Sequence, residues 1–434
     1  MRKLLVIGLD SAPPELLFGE ILEELPNIRR LLKISDYGPM RSCIPPITIP
    51  AWLVMATGKS PGELGIYGFR YRKFGEYDKV DVVDSSFARG EQTIWSVLGK
   101  YGYRSVVVGV PPSYPAYPVR GYMVSDFTAP VKERWTWPVD LGDEIEREVG
   151  EYIFDVEFRK EDKDSVWEGV LDMTDIHFET VYYLLTEKDW QYFQFVEIGL
   201  DRVHHAFWKD RKRVVEYYKI LDKKIGRLLS LIDLDEVGVA IVSDHGAQEM
   251  EGVVAVNQLL IEEGLLSVEG DVKPGTRLKD VQVRWEDTIA WAWGGYYSRV
   301  FVNLKGREKK GIVRNDPAIY ESVRLMLKDL FEELRGPNGE KWKNYVFFPE
   351  KIYGVTNGYP PDLMVFFNDL KWRAIGSIGY DSIYGRENDT GPDDAVHSMV
   401  GVFALHRPGQ DKSRKVSMDI MKFKDVVLEY FGVR

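Results

Sequence analysis

The chain has 434 residues, 44% hydrophobic and 13% aromatic, which supplies a large core and excludes a disordered protein. Its formal net charge of −11 argues against a general nucleic-acid-binding surface, leaving Arg70, Arg72 and Lys73 as a local basic patch that can meet a phosphate. Cys43 is the only cysteine, which excludes an intrachain disulfide and a cysteine-based zinc site and fits a reducing cytoplasm.

The N-terminal MRKLLVIGL imitates a signal peptide, but its apolar run is too short and leads straight into Asp10, so it reads as a buried strand over 3–9. A helix is expected over 15–33. In PPITIPAWLVMATG, Pro50 suits a first helical turn and places Thr48 at or just before a helix N-terminus. Further strands are expected at 104–110, 192–199, 237–243, 299–304, 362–367 and 399–405, and further helices at 92–101, 172–187, 211–232, 257–264 and 315–335. This alternation predicts an α/β fold with a mostly parallel central sheet and helices on both faces. Two stretches break the rhythm: 111–170, rich in Pro, Tyr and Trp, and 246–298, which ends in WAWGGYY. They are expected as inserted cap segments near the active site of a single domain spanning 1–434. The aromatics of 113–122 and 291–297 either stack on a nucleobase or pack an inserted subdomain. Charges interrupt every apolar run well before the roughly 20 residues of a spanning helix, so a soluble protein with no membrane partner is expected. The oligomeric state is not legible.

Three runs that read as buried strands lead into metal-ligand-type side chains: KLLVIGLD into Asp10, FQFVEIGLD into Asp201, and VGVAIVSDHG into Asp244 and His245. Open α/β sheets bind at the carboxyl ends of their strands, so these groups converge on one crevice. Asp201 and His205 are spaced to share one helix face, with His204 pointing about 100° aside. Asp244 and His245 can both turn toward one ion because Gly246 lets the backbone bend sharply. Each residue also has a bland role: Asp10, Thr48 and Asp201 as helix caps, and Asp244 in a side-chain-bonded turn. His397 lies at the entry of the apolar strand MVGVFAL, outside the regular elements. His177, inside a helical pattern, and His406, in a polar turn, are weaker candidates.

Together, GLD at 8–10, TIPAW at 48–52, ATGKSPGELGIYGF at 56–69, LDRVHH at 200–205, VSDHGA at 242–247 and HSMVGVF at 397–403 resemble the type I phosphodiesterase/nucleotide pyrophosphatase family of the alkaline phosphatase superfamily. VNQLLIEEGLL at 256–266, NLKGRE at 303–308 and PPDLMVFF at 360–367 are similar to its intracellular prokaryotic branch. The resemblance implies an alkaline-phosphatase-like core and two divalent ions, zinc with manganese as substitute. One ion would be held by Asp201, His205 and His397, the other by Asp10, Asp244 and His245, with Thr48 facing both as nucleophile. It further implies hydrolysis of phosphodiester or pyrophosphate bonds of nucleotides or related small phosphoesters through a phosphothreonine. The chain departs from the family pattern at Leu64 and Phe69, where His and a phosphate-contacting Asn are common; Arg70 or Arg72 is the candidate replacement for that contact.

Other readings differ in what they need. A sulfatase needs a Cys/Ser-x-Pro-x-Arg setting, and CIPPI at 43–47 lacks the arginine. A phosphomonoesterase or phosphonate hydrolase would use the same scaffold. A non-catalytic, metal-stabilised phospho-ligand-binding protein would need no nucleophile at Thr48.

Overall fold

The computed structural model describes residues 2–433. The chain divides into two compact units, Met1–Ser60 with Val83–Ala247 and Ser398–Arg434, and Pro61–Val82 with Gln248–His397.

The first unit is built on a ten-stranded sheet. Its main strands are β1 (Lys3–Leu9), β2 (Asp36–Arg41), β3 (Ser105–Val108), β4 (Gly121–Val124), β5 (Tyr192–Glu197), β6 (Val237–Val242) and β7 (Val400–His406). They lie in the order β2-β7-β6-β1-β5-β3-β4. The centre is parallel, as the alternation of strands and helices requires: β1 pairs with β5 from Leu4↔Tyr192 to Leu9↔Glu197, and with β6 from Lys3↔Val237 to Gly8↔Val242. These registers bring the carboxyl ends of β1, β5 and β6 level. β7 runs antiparallel to β6, with Phe403 opposite Val242, so β7 begins where the parallel strands end.

The central strands are buried throughout because both faces are covered. Leu5, Ile7 and Leu9 of β1 join a cluster with side chains of α2 (Lys163–Glu187), α3 (Gly199–Phe207) and α4 (Arg211–Ser230). Leu4 and Val6, pointing to the opposite face, are equally buried. On that face the ring of Phe431, from the helix Phe423–Phe431, lies 6.4 Å from Tyr192.

Two expectations are corrected and one strand is added. The helix over 15–33 is broken into a π turn at Leu16–Glu20, a 3-10 turn at Leu22–Glu24 and an α-helix at Pro26–Leu32. Pro26 has no N–H for an earlier helix to use and starts a new one. The added strand is Asp36–Arg41, which contains Gly38-Pro39; a Cβ on Gly38 would stand 1.9 Å from the Val416 carbonyl oxygen, so the glycine is there for close backbone approach. His406 ends β7 at 2% exposure instead of lying in a polar turn, and its two ring nitrogens meet the carbonyls of Ile34 and Leu234.

The second unit carries a four-stranded antiparallel sheet in the order Ala290–Trp293, Ser298–Val302, Leu363–Phe366, Tyr345–Phe347. The helices Val256–Glu262 and Pro317–Glu332 contribute Leu259, Leu260, Leu327 and Phe331 to its core, with Trp291, Phe301 and Phe367. Residues 111–170 lie wholly in the first unit, where they supply β4 and the edge strand Thr136–Trp137; residues 248–298 belong to the second.

Candidate metal centre

Asp10 follows β1 directly and is fully buried. It does not cap a helix: Trp52 donates its indole N–H to Asp10 Oδ2 at 2.7 Å. Trp52 reaches it by lying across Gly8, where a Cβ would stand 2.7 Å from the indole ring. Asp10 Oδ1 is buried, accepts no hydrogen bond, and lies 3.6 Å from His245 Nε2. Asp244 and His245 follow β6, with His245 Nε2 3.0 Å from Asp244 Oδ2. His245 Nδ1 is 2.9 Å from the Gly246 carbonyl, an acceptor only, so Nδ1 carries a proton and Nε2 faces the carboxylates. Ser11 adopts a left-handed φ of 68°, and its N–H donates to Asp244 Oδ1 at 3.2 Å. Such conformations persist where surrounding contacts fix them, often at active sites.

The helix α1 (Thr48–Thr57) begins at Thr48, with Ile47 as its N-cap and no side-chain cap bond. The Thr48 hydroxyl is thus not spent on capping; Oγ1 lies 3.3 Å from His245 Nε2. Asp10, Asp244 and His245 offer ligand atoms that lie within 4.8 Å of one another.

A second group forms around α3. Asp201 and His205 share one face of that helix, with His205 Nε2 3.3 Å from Asp201 Oδ1. Arg202 donates to Asp201 Oδ2 at 2.7 Å and grips Asp155 with two further bonds of 2.7 Å. Phe158 and Phe127 cover the guanidinium at 4.5 and 5.0 Å. His397 lies on the short strand Ala395–Ser398, not outside the regular elements, one residue before the chain re-enters the first unit. Its ring stacks on Tyr296 at 3.8 Å.

His204 points elsewhere, as its place on the helix dictates. Nδ1 meets Ser11 Oγ at 2.8 Å and Nε2 meets the Tyr218 hydroxyl at 3.2 Å. Burial pulls its pKa down to about 3, so it stays neutral and acts as a brace between the turn after β1 and α4.

The electrostatics are those of concentrated, buried negative charge. Burial first, then the charge of Asp244, raises the Asp10 pKa well above the usual carboxylate range; burial also raises that of Asp244. Burial opposes the charge on His245, but Asp244, Asp10 and Asp201 carry its pKa up to about 10. Without a cation, such a cluster retains protons. The donor set of buried carboxylates and imidazoles, with Asp10 Oδ1 accepting no hydrogen bond, fits a divalent ion of the zinc or manganese kind.

Arg72 departs from its expected role. Its guanidinium is 1% exposed, holds both Glu308 oxygens at 2.5 and 3.0 Å, and lies over Trp291 and Phe301 at 4.8 and 4.6 Å. Its fork is consumed inside the second unit, so it is no phosphate contact. Arg70 is exposed. The sequence reading missed Trp52, Ser11, Arg202 and Tyr296. Arg202 adjoins Asp201 in LDRVHH and carried a weak signal; the other three are brought in by the fold.

A doubly wound sheet with paired acid and imidazole groups at its carboxyl edge is the layout of a metal-dependent hydrolase. The chain belongs to the type I phosphodiesterase/nucleotide pyrophosphatase family, whose sequence profile matches residues 4–393. It is accordingly a hydrolase of the phosphodiesterase/pyrophosphatase kind, within the alkaline phosphatase superfamily. The family is metal-dependent, and this chain has two residue groups able to hold ions. Its fold is similar to that of murine ectonucleotide pyrophosphatase/phosphodiesterase 5, with a TM-score of 0.60 at 13% identity over 100% of this chain and 96% of that one. The human protein of the same name gives the same values. An inactive variant of the murine protein in complex with AMP gives 0.60 at 12% identity, with coverage of 100% and 96%. No curated protein matches significantly by sequence. Among the described residues no helix is long and apolar enough to cross a membrane.

Proposed function

We propose that the protein cleaves phosphodiester or pyrophosphate bonds of nucleotides or related small phosphoesters, with Thr48 as nucleophile. The observation that carries this reading is the uncapped Thr48 hydroxyl, 3.3 Å from His245 Nε2 at the edge of a fully buried acid cluster. Asp10, Asp244 and His245 would hold one divalent ion, and Asp201, His205 and His397 a second. Zinc suits mixed oxygen and imidazole donors, and manganese can replace it. Bound ions would supply positive charge that lowers the pKa of a nearby hydroxyl and offsets charge developing on phosphorus oxygens.

The chain's own residues do the rest. Thr48 Oγ1 bonds to phosphorus as the bond to the leaving oxygen breaks, and water then cleaves the phosphothreonine. Two inversions give net retention at phosphorus. Trp52 orients Asp10, Ser11 orients Asp244, and the Gly246 carbonyl turns His245 Nε2 toward the acids. The AMP complex of the murine neighbour's inactive variant supports a nucleotide as the substrate class. A lone, buried Cys43 supports a reducing cytoplasmic location.

The test is metal content together with hydrolysis of bis-p-nitrophenyl phosphate and p-nitrophenyl phosphate, for the wild type and Thr48→Ala. Two ions per chain and faster diester cleavage are expected, with turnover lost and metal kept in Thr48→Ala. Monoester cleavage alone would reassign the protein as a phosphatase, and unimpaired turnover in Thr48→Ala would remove Thr48 from the chemistry.

A further inference from the structure

Most buried or half-buried arginines in this molecule are neutralised: Arg72 by Glu308, Arg307 by Asp362, Arg202 by Asp155 and Asp201. Arg299 is different. It stands on the strand Ser298–Val302 directly across from Trp293, whose ring its guanidinium covers at 4.9 Å. Its other side faces Gly68: a Cβ there would lie 3.4 to 3.6 Å from the guanidinium atoms, so the bare glycine backbone leaves a flat seat. Nη1 donates to the Arg70 carbonyl oxygen at 2.5 Å.

Plane and direction are therefore fixed, while Nε and Nη2 have no protein acceptor among the described residues. No carboxylate pairs with Arg299 there. Its electrostatic neighbours are the Tyr297 hydroxyl, whose own partner is the Tyr67 carbonyl, and the like charge of Arg70. Burial and that like charge hold the Arg299 pKa below the usual arginine range, though arginine stays protonated. Arg70 is exposed on the strand Arg70–Tyr71 and has no ion-pair partner among the described residues. Arg299 is held in place by the Arg70 carbonyl, and the like charge of Arg70, which follows Gly68 by two residues, reaches it with no acid to offset it, a repulsion that an anion would relieve. A guanidinium fork with free donors suits a pair of phosphoryl oxygens, and a second positive charge suits a dianion.

We propose that Arg299 and Arg70 form an anion-binding subsite of the second unit that takes the phosphoryl group of a phosphorylated ligand. The subsite rests on neither the metals nor Thr48, so it stands or falls separately from the catalytic reading. Inorganic phosphate is the probe. The metal-loaded protein is treated with phenylglyoxal across a phosphate series, and the modification rate of each arginine is read by peptide mass spectrometry. Controls carry potassium chloride at matched ionic strength.

Phosphate should slow modification of Arg299 and Arg70 together, with one midpoint, while chloride does not. R299Q should move the Arg70 midpoint about tenfold or more, the worth of a charged hydrogen bond. R70Q, at an exposed position that does not threaten folding, should move the Arg299 midpoint in the same direction. Rates insensitive to phosphate, equal protection by chloride, or unshifted midpoints in R70Q would overturn the subsite. Because each arginine is read by itself, phosphate bound at the acid cluster cannot mimic the result.

Discussion

Two buried aspartates of the first unit meet opposite fates. Asp36, on β2, is 5% exposed and is met by Arg414, Arg407 and Gln410, with Arg414 gripping both oxygens at 2.8 and 2.7 Å. The Arg414 guanidinium, helped by Arg407 and Gln410, holds its pKa below the usual carboxylate range. Asp10, after β1, is fully buried among Asp244, Asp201 and His245 and has a single neutral donor, Trp52. Its pKa is raised. An acid that the fold neutralises serves the fold, whereas an acid the fold isolates with other acids is held ready for a cation from outside.

Removing one acid from the isolated cluster separates the two cases most strongly. Asp244→Ala should lower diester turnover about 10³-fold or more, since transition-state charge stabilisation worth several kcal/mol is lost. Its metal-free form should be no less stable than the wild type, because a repelling charge has gone. Turnover and chemical denaturation of the same preparations read both, and a large loss of metal-free stability would make Asp244 structural.

Arg202 tests how far the second group depends on its support. Arg202→Met frees Asp201 and Asp155 from a shared grip, and metal affinity should fall about 10- to 100-fold, as for other partners of metal ligands. Competition with a chromophoric chelator measures it. An unchanged affinity would show that the helix alone orients Asp201.

Loading with zinc or manganese should stabilise the wild type by about 2.7 kcal/mol at a hundredfold excess over the dissociation constant, and a chelator should reverse it. The pH dependence has a definite sign. His245, raised to about 10 without metal, must lose its proton to coordinate, so apparent affinity falls about tenfold for each unit of pH lowered. Titration calorimetry in buffers of different ionisation enthalpy should show proton release on binding.

Asp36→Asn is the smallest effect, about 1 kcal/mol, because Arg414 and Arg407 are themselves exposed. Its sign is opposite to that of the isolated acids. A lowered folded pKa gives stability that is present above the unfolded value near 3.9 and lost as pH falls through the folded one. The metal-free acids Asp10 and Asp244, with raised values, destabilise above the unfolded value and cease to do so as pH falls. Urea midpoints between pH 3 and 7 should therefore show a pH-dependent loss in Asp36→Asn and a pH-dependent gain in metal-free Asp244→Ala.

The central strands were legible because burial on both faces imposes an unbroken apolar run, and such runs stand at 3–9, 192–197 and 237–242. Each run leads within a few residues to an acid or imidazole, which makes Asp10, Asp201, Asp244 and His245 site candidates. The pairing of Asp201 with His205 followed from helical spacing alone. Local chemistry could not show which arginine is spent. Arg70 and Arg72 are equivalent in the string RYRK, yet Glu308, distant in sequence, neutralises only Arg72. Trp52 on Asp10, Tyr296 on His397 and the brace of His204 are likewise contacts between residues far apart in sequence. Periodicity and strand ends are local properties that one chain records along its length. The partner that neutralises a charge, or leaves it waiting, is chosen only when the sheet and its helices bring separate segments together.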